Sequence, residues 1–314
     1  MDCTKQLFTE FNERLSKVCE EFADLVSSKE GPTESEMAEH FKNFRSYIET
    51  KTHDFWSEPK DYLDGKTGEA FIGEMDMEQA LSAFNEAAEI IDDEATPYPL
   101  VNRLLSFGGD ACEKMLTMVL EKPWQPEEGE DENEFFIRFQ PCVAAIRYFG
   151  TAKYEPAMEP VLTRFCSYTS TQEYIADSVK VMMMGLETKG VPMLIDFLLE
   201  RSDEEITGPY EDMMIMLTHV GQKVPSNDIY QALRAGFRRM KSKVIAVICI
   251  GDYGDPRGIA LLKGYLDRNV HTIDRETFYE ALSAIRRLGG EINDIQDPFH
   301  DFTNKVPKDK KDKK

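Results

Sequence analysis

Apolar residues recur every three or four positions along most of the chain, a spacing that places them on one face of an α-helix. The first such stretch, residues 4–28, sets these side chains opposite acids and lysines: Leu7, Phe8, Phe11, Leu15, Val18, Cys19, Phe22, Leu25 and Val26. A second helix is predicted to begin near Thr33, which precedes Glu36 as in a capping box, and a third covers residues 76–92. These helices predict a small N-terminal cap or bundle.

Residues 52–74 interrupt the helical pattern with Pro59 and several glycines. The dipeptide Asp64-Gly65 is typical of the two-residue turn of a β-hairpin, so a short hairpin is predicted there. Both tryptophans, Trp56 and Trp124, are assigned to loops.

From about residue 97 the apolar pattern becomes a repeat. Six helical stretches end in an apolar residue followed by a glycine, and these glycines are Gly108, Gly150, Gly185, Gly221, Gly251 and Gly289. The last five are spaced 35, 36, 30 and 38 residues apart, and such a period indicates stacked structural repeats. A glycine just past a helix adopts the left-handed conformation that closes it, so each is predicted to end the first helix of a pair. Second helices are predicted at residues 154–167, 191–201, 226–235 and 256–268.

The segment VIAVICIGDYGDPRGIALLKGYL, residues 244–266, shows the repeat most clearly. A helix ends in Ile-Gly, a turn contains Asp255, Pro256 and Arg257, and a second helix carries paired leucines. This pattern resembles the HEAT-like repeats, including the short form named after phycobilisome lyases. The resemblance covers about residues 97–292, although only this repeat keeps the Asp-Pro-Arg turn. It implies an ARM-type α-solenoid and says almost nothing about function.

The predicted fold class is therefore all-α, with a HEAT-like α-solenoid of about five to six helical hairpins. One helix pair cannot bury its apolar stripe alone, so the pairs are expected to stack around a shared core. The predicted organisation has three parts: an acidic N-terminal helical region at residues 1–96, the solenoid at 97–292, and a polar, Lys-rich tail at 293–314 that is expected to be disordered.

Methionines are concentrated at the ends of two successive first helices: Met182, Met183, Met184, Met213, Met214 and Met216. Methionine fills irregular cores and also lines adaptable binding grooves. Core packing is the preferred interpretation, and a groove is the alternative.

The net charge of −21 is confined to one part of the chain. Residues 1–134 hold 33 acidic and 12 basic side chains, whereas residues 135–314 hold 25 of each. A polyanion such as DNA would be repelled by the first part, and a cationic partner attracted, over a Debye length of about 8 Å. Solubility alone is the alternative explanation for this excess.

The acidic run at residues 127–134 lengthens the first spacing between repeats and is interpreted as an inserted loop. It supplies candidate partner-binding residues: Glu127, Glu128, Glu130, Asp131 and Glu132. Insertions in repeat proteins often lie at the binding edge, so a basic partner is one interpretation. A solvated, mobile loop without a partner is the other.

A basic cluster supplies a second set of candidate residues: Arg234, Arg238, Arg239, Lys241 and Lys243, with Arg286 and Arg287 one repeat later. Stacked repeats are expected to align them into a basic stripe on the concave surface, suited to an acidic peptide, a phosphate or the acidic part of this chain. HEAT-like DNA-alkylation-repair proteins use a basic concave face with aromatic residues. Here both tryptophans lie away from the cluster, and the overall charge repels nucleic acid. Ordinary surface charge is the alternative.

No motif for catalysis, metal binding or a cofactor is found. The five histidines are scattered without an HExxH pattern, and neither a GxSxG motif nor a phosphate loop occurs. Bilin lyases share the repeat type, but no residue marks a bilin site. We therefore expect no cofactor and no enzymatic activity, and the alternative is a site created only by folding.

The N-terminus lacks the basic region and apolar block of a signal peptide, and no run of about 18 apolar residues suggests a membrane span. The six cysteines have no CxxC spacing and are expected to be reduced thiols. A cytoplasmic location without a membrane partner is therefore expected.

The leading functional hypothesis is a non-catalytic adaptor or inhibitor that holds another protein or peptide on the concave surface of the solenoid. In a sharper form, the acidic first part neutralises a basic protein, as immunity proteins do with nuclease toxins. The alternatives are a nucleic-acid-binding protein that uses residues 234–243, and an enzyme whose site the sequence spacing does not reveal.

Overall fold

The computed structural model describes residues 2–27, 34–91, 96–200 and 205–301. Within these ranges the chain forms α-helices and a few isolated β-bridges but no strand, and neighbouring helices pack in a repeat-like succession. The predicted all-α, repeat-like fold is confirmed. No helix in this part of the chain combines the length and the apolarity that a membrane span requires.

The chain forms two compact units, which divide between Val161 and Leu162 and are called unit 1 and unit 2. The helices of unit 1 are α1 Cys3–Ser27, α2 Glu34–Ser57, α3 Gly68–Gly73, α4 Met77–Ile90, α5 Tyr98–Leu105, α6 Gly109–Glu121 and α7 Glu132–Thr151. The division lies inside α8, Met158–Cys166. It differs from the boundary near residue 97, which rests on a change in sequence pattern and stays a prediction.

The core of unit 1 forms around α4, which packs on α1, α5, α6 and α7. The inner face of α1, from Leu7 to Val18, is buried as predicted. Its Phe11 packs on Trp56 of α2, with ring centroids 4.6 Å apart. Trp56 therefore lies in a helix and not in a loop, because α2 continues to Ser57 through a stretch predicted to be the least helical. Tertiary packing of the indole outweighs the weak local helix propensity there.

The turn at Asp64-Gly65 is less regular than the predicted hairpin. Asp64 and Gly65 both have positive φ, at 55° and 78°, as a two-residue hairpin turn requires. The flanking residues nevertheless form only one antiparallel bridge in the described part of the chain, between Pro59 and Thr67. A short 3₁₀ turn at Asp61–Leu63 takes the place of a strand.

Unit 2 is built from helix pairs. Its helices are α9 Glu173–Leu186, α10 Val191–Glu200, α11 Pro209–Gly221, α12 Asn227–Arg239, α13 Lys243–Tyr253, α14 Arg257–Asn269 and α15 Arg275–Arg287. Helices α9, α11, α13 and α15 pack in succession and form the first-helix layer. Helices α10, α12 and α14 pack against them and form the second-helix layer. The second helices predicted at residues 191–201, 226–235 and 256–268 are thereby confirmed.

Most of the repeated glycines do not close a helix, which corrects the sequence prediction. Two of them have a positive φ, 63° at Gly108 and 84° at Gly289. Gly108, however, has a ψ of −138° and precedes α6 as its N-cap, so it does not adopt the predicted left-handed helical conformation. The other four lie within helices: Gly150, Gly185, Gly221 and Gly251. In three of these turns the positive φ falls a few residues later, at Lys153, Glu187 and Gly254.

Two of these glycines instead allow first helices to approach one another closely. A Cβ on Gly251 of α13 would lie 2.7 Å from the Cβ of Ala284 on α15. A Cβ on Gly221 of α11 would lie 3.3 Å from the ring of Tyr253 on α13. Any side chain at these positions would crowd a close-packed contact. Absence of a side chain, and not backbone freedom, therefore explains glycine at these two repeats.

The first residues of the predicted C-terminal tail, 293–301, lie against α14 and α15. Lys263 of α14 forms an ion pair with Asp294, with 2.7 Å between Nζ and Oδ1. The ring of Phe299 packs on that of Phe278 in α15, with centroids 5.6 Å apart. The remainder of the tail lies outside the described residues.

Replacing Gly251 with alanine is expected to lower the free energy of unfolding by about 1–3 kcal/mol, the usual cost of overpacking a core contact. The new methyl group would meet Ala284 at 2.7 Å. Urea-induced unfolding, followed by circular dichroism, measures the change.

Gly264→Ala in α14 is the matched control, because its Cβ would meet only the flexible end of Arg268, at 3.2 Å. Alanine is the better helix former, so this variant is expected to gain up to about 1 kcal/mol. Adding Ala284→Gly to Gly251→Ala returns space to the contact and should restore part of the lost stability. Equal stability of Gly251→Ala and the wild-type protein would contradict the close approach of α13 and α15.

Candidate functional site

The acidic run forms a hydrogen-bonded turn in unit 1, which differs from the solvated loop that composition favoured. Trp124, which precedes the acidic run in the sequence, is fully buried. The Nε1–H of Trp124 donates to Val119 O at 2.9 Å. Arg138 of α7 donates to both carboxylate oxygens of Glu130, at 2.7 and 2.8 Å. Hydrogen bonding to Arg138 lowers the pKa of Glu130 to about 2. Glu130 is therefore a structural carboxylate.

Asp131 also stabilises the fold, since it is the N-cap of α7. Its Oδ1 accepts from the N–H groups of Asn133 and Glu134 at 2.9 and 2.8 Å, and the Glu134 carboxylate accepts from Asp131 N–H at 3.3 Å. This capping box satisfies N–H groups that the first helical turn leaves without partners. The remaining predicted acids are exposed to solvent: Glu127, Glu128 and Glu132.

Two of the basic candidates in unit 2 bind the ends of helices. Arg239 donates from Nη2 to Leu198 O, in the last turn of α10, at 2.6 Å. Lys243 donates from Nζ to three carbonyl oxygens at the end of α12, at distances of 3.0, 3.2 and 2.6 Å: those of Phe237, Arg238 and Met240. Burial lowers the pKa of Lys243. Carbonyl groups in the last helical turn favour a cation, so these two side chains stabilise the fold.

The other basic candidates are divided between the two layers of unit 2. Three lie in or just after α12 of the second-helix layer: Arg234, Arg238 and Lys241. The other two lie at the end of α15 in the first-helix layer: Arg286 and Arg287. Arg287 forms ion pairs with Asp252 at 3.3 Å and Glu280 at 3.0 Å. The structure does not align these residues along one layer, and their role in binding stays a prediction.

The first-helix layer carries an exposed apolar surface that sequence analysis did not single out. Helix α9 exposes Val181 and Met184, with fractional exposures of 43% and 39%. Helices α11 and α13 present the half-buried Ile215 and Ile248. The other five methionines assigned to the core are fully buried, so Met184 is the exception in that group. The sequence does contain a signal that predicts this surface, because the outward positions of each helix are three or four residues apart.

Carboxylates lie beside these apolar side chains, and one of them has a raised pKa. Burial raises the pKa of Asp212 to about 6, with a further contribution from Glu211 and Asp177, while Lys180 opposes the shift. Lys180 is itself paired with Asp177, with 2.6 Å between Nζ and Oδ1. Glu211 accepts from Ser242 N–H at 3.1 Å. We call the outward set on these helices the first-helix stripe: Asp177, Val181, Met184, Asp212, Ile215, Ile248 and Asp252.

A cavity of about 270 Å³ opens beside Arg239 in unit 2. Glu205 lines it, and Cys166 at its wall places Sγ 3.2 Å from Met213 Sδ, so the thiol contacts the core. Residues 201–204 directly precede Glu205 and lie outside the described residues. We assign no ligand to this cavity.

Among the residues that the structure describes, no three or more His, Cys, Asp or Glu side chains are grouped to hold a metal ion. Comparisons with protein-family models, with curated protein sequences and with solved structures give no match to this chain. The fold and the surface therefore define the class: an all-helical, repeat-like protein with charged surfaces on each unit.

Replacing Asp212 with asparagine is expected to stabilise the protein at pH 7–8. The pKa of Asp212 is raised from 3.8 to about 6, so between these values the native state binds more protons than the unfolded state. Wild-type stability therefore falls as pH rises through this window. We expect a gain of about 1–2 kcal/mol, because one pKa unit corresponds to about 1.4 kcal/mol and solvent screens part of it at this half-buried site. Thermal unfolding at pH 4 to 8 measures the difference, which should vanish near pH 4.

Asp255→Asn is a control for which the opposite effect on stability at neutral pH is expected. Hydrogen bonds from Arg257 lower the pKa of Asp255, so its carboxylate contributes stability that is present at neutral pH and lost in acid. This variant should be less stable than the wild-type protein at pH 7, with a difference that narrows on acidification. A pH-independent difference for Asp212→Asn would contradict the raised pKa.

Proposed function

We propose that this protein is a non-catalytic scaffold of HEAT-like repeats that binds another protein, as an adaptor or inhibitor. The layered helix pairs of unit 2 support the proposal, since stacked pairs present side chains from successive helices on one surface. Such a surface gains affinity from many modest contacts around a few anchors. A cytoplasmic setting is part of the proposal, and it is supported by the six cysteines, which lie in the described residues and form no disulfide bond there.

The turn between α13 and α14 supports the HEAT-like assignment. Asp255 accepts from the backbone N–H of Arg257 at 2.9 Å and from its guanidinium at 2.7 Å. Arg257 also donates to Asn227 Oδ1 at 2.8 Å and lies over the ring of Tyr230, 3.9 Å from the centroid. Both of these partners belong to α12, the second helix of the preceding pair. The Asp-Pro-Arg turn thus joins adjacent helix pairs, which is the contact that a stacked repeat requires.

The observation that carries the proposal is the segregation of charge. The whole net charge of −21 lies in the first 134 residues. In the acidic turn of unit 1, three carboxylates stay exposed after the needs of the fold are met: Glu127, Glu128 and Glu132. A field of one sign accelerates encounter with a partner of the opposite sign. A basic protein is therefore the proposed partner, and neutralising it is the sharper form of the proposal.

The proposal predicts capture of a protein that depends on salt. Immobilised full-length protein is exposed to nuclease-treated lysate of its own cells at low and high salt, and the bound proteins are identified by mass spectrometry. We expect a basic protein that high salt releases, because salt screens exposed charges. The variant Glu127→Gln/Glu128→Gln/Glu132→Gln should bind this protein with a slower association rate and a weaker salt dependence.

The matched control removes three exposed carboxylates from unit 2, through Asp228→Asn, Asp267→Asn and Glu291→Gln, and keeps the acidic turn intact. It should associate as fast as the wild-type protein. Equal association rates for the two variants would contradict a role for the acidic turn. Recovery of nucleic acid instead of protein, when the nuclease is omitted, would overturn the proposal and favour the runner-up function through the basic residues of α12.

A further inference from the structure

The first-helix stripe is aligned between α9 and α11. Helices α9 and α11 pack side by side, and Asp177 of α9 contributes to the raised pKa of Asp212 in α11. Val181 follows Asp177 by one helical turn, and Ile215 follows Asp212 by one helical turn, so both aliphatic side chains project at a similar level. Successive first helices run in the same direction because a returning second helix separates them. Val181 and Ile215 are therefore neighbours across the two helices.

The same alignment continues from α11 to α13. The position of Gly221 lies within 3.3 Å of the Tyr253 ring, which defines the register between these helices. Counting back six residues from each side of this contact places Ile215 of α11 at the level of Val247 in α13, next to Ile248, and both isoleucines are half-buried. With Val181, they form an aliphatic row that crosses three helices. Met184 lies beside the α9 end of the row, one turn after Val181.

Carboxylates lie on two sides of the row and at one of its ends. Asp177 and Asp212 lie on its N-terminal side, and Asp252 lies one turn to the C-terminal side of Ile248. At α15 the row ends at Glu280, which shares Arg287 with Asp252. Lys180 pairs with Asp177, and Arg287 pairs with Asp252 and Glu280, so four carboxylates and two basic side chains border the apolar row. The borders therefore keep an excess of negative charge.

We propose that the aliphatic row of the first-helix stripe is the docking site for a basic amphipathic helix of the partner. This inference rests on the proposed function and identifies the surface that carries it. An amphipathic helix presents an apolar stripe with charged residues on both sides, which complements this row and its borders. An extended strand alternates its side chains between two faces and would not meet both borders.

The spacing of the row also fits a helix. Packed helices lie about 8–10 Å apart, so neighbouring aliphatic side chains of the row are separated by about that distance. Seven residues of an α-helix span about 10.5 Å. A partner helix with an aliphatic residue at every seventh position, and lysine or arginine beside it, would place one anchor against each of α9, α11 and α13.

Three synthetic peptides test the proposal on the full-length protein. The first is a helix of about 21 residues with leucine at every seventh position and lysines on both flanks of that stripe. The second replaces the lysines with glutamates, and the third carries two central prolines that prevent a continuous helix. Fluorescence anisotropy at low and physiological salt measures binding. We expect the lysine helix to bind, more tightly at low salt, and the other two to bind at least about tenfold more weakly.

Variants of the protein locate the site. Val181→Ser/Met184→Ser removes two exposed anchors and should weaken binding of the lysine helix by about tenfold. Val224→Ser is the matched control, because Val224 is an aliphatic residue of similar exposure, 37%, in the turn after α11 and outside the row. It should leave the dissociation constant unchanged. Circular dichroism checks that each variant keeps the helical content of the wild-type protein.

Ile137→Ser tests the competing location in unit 1, since Ile137 is exposed on α7 beside the acidic turn. Loss of binding in this variant, with no effect of Val181→Ser/Met184→Ser, would overturn the docking site and leave a basic partner in place. Absence of binding by the lysine helix at low salt would overturn recognition of a basic amphipathic helix. Salt-released capture of a basic protein from lysate would in that case still support the proposed function.

Discussion

Where α13 meets α15, a glycine faces an alanine, and the two helices lie closer together than larger side chains would permit. Gly221 likewise has no side chain and leaves room for the ring of Tyr253. These contacts define the distance and register between successive first helices, and thereby which residues of each helix are buried. The second-helix layer packs against the first helices that these contacts hold together.

Some charged side chains in this protein bind the ends of helices, and others remain exposed to solvent. Helix ends leave N–H and carbonyl groups without helical partners, and nearby charged residues bind them. Asp131 does so at the start of α7, while Arg239 and Lys243 do so at the ends of α10 and α12. A count of charges along the chain therefore overstates the charge that is free to meet a partner. The exposed carboxylates of the acidic turn remain after this use.

Long-range and short-range recognition would draw on different features of the proposed binding protein. Excess negative charge acts over several ångströms and affects mainly the rate and salt dependence of encounter. Aliphatic side chains act only in contact, where their removal from water stabilises a complex. The first-helix stripe combines both, since its row of Val181, Ile215 and Ile248 is bordered by carboxylates. Burial raises the pKa of Asp212 in that border, and a further cation beside its carboxylate would lower this pKa as Lys180 already does.

The amino-acid sequence by itself determined the helices, the repeat period and the segregation of charge, because these depend on residues that are neighbours in the chain. The helix predicted at residues 4–28 and three of the second helices of the repeat follow from apolar spacing alone. The turn that contains Asp255, Pro256 and Arg257 was likewise predicted between the two helices of a pair, where the structure has it.

Tertiary structure alone decided the role of the repeated glycines, which supply space at Gly221 and Gly251 and have a positive φ at Gly108 and Gly289. It also decided that Trp56 extends a helix, that Glu130 and Asp131 belong to the fold, and that Met184 faces solvent while its neighbours are buried. Periodicity records which face of a helix is apolar. A given side chain can contact another helix, the backbone groups at a helix end, or water. Which of these it contacts depends on residues far away in sequence, and so on the packing of the whole unit.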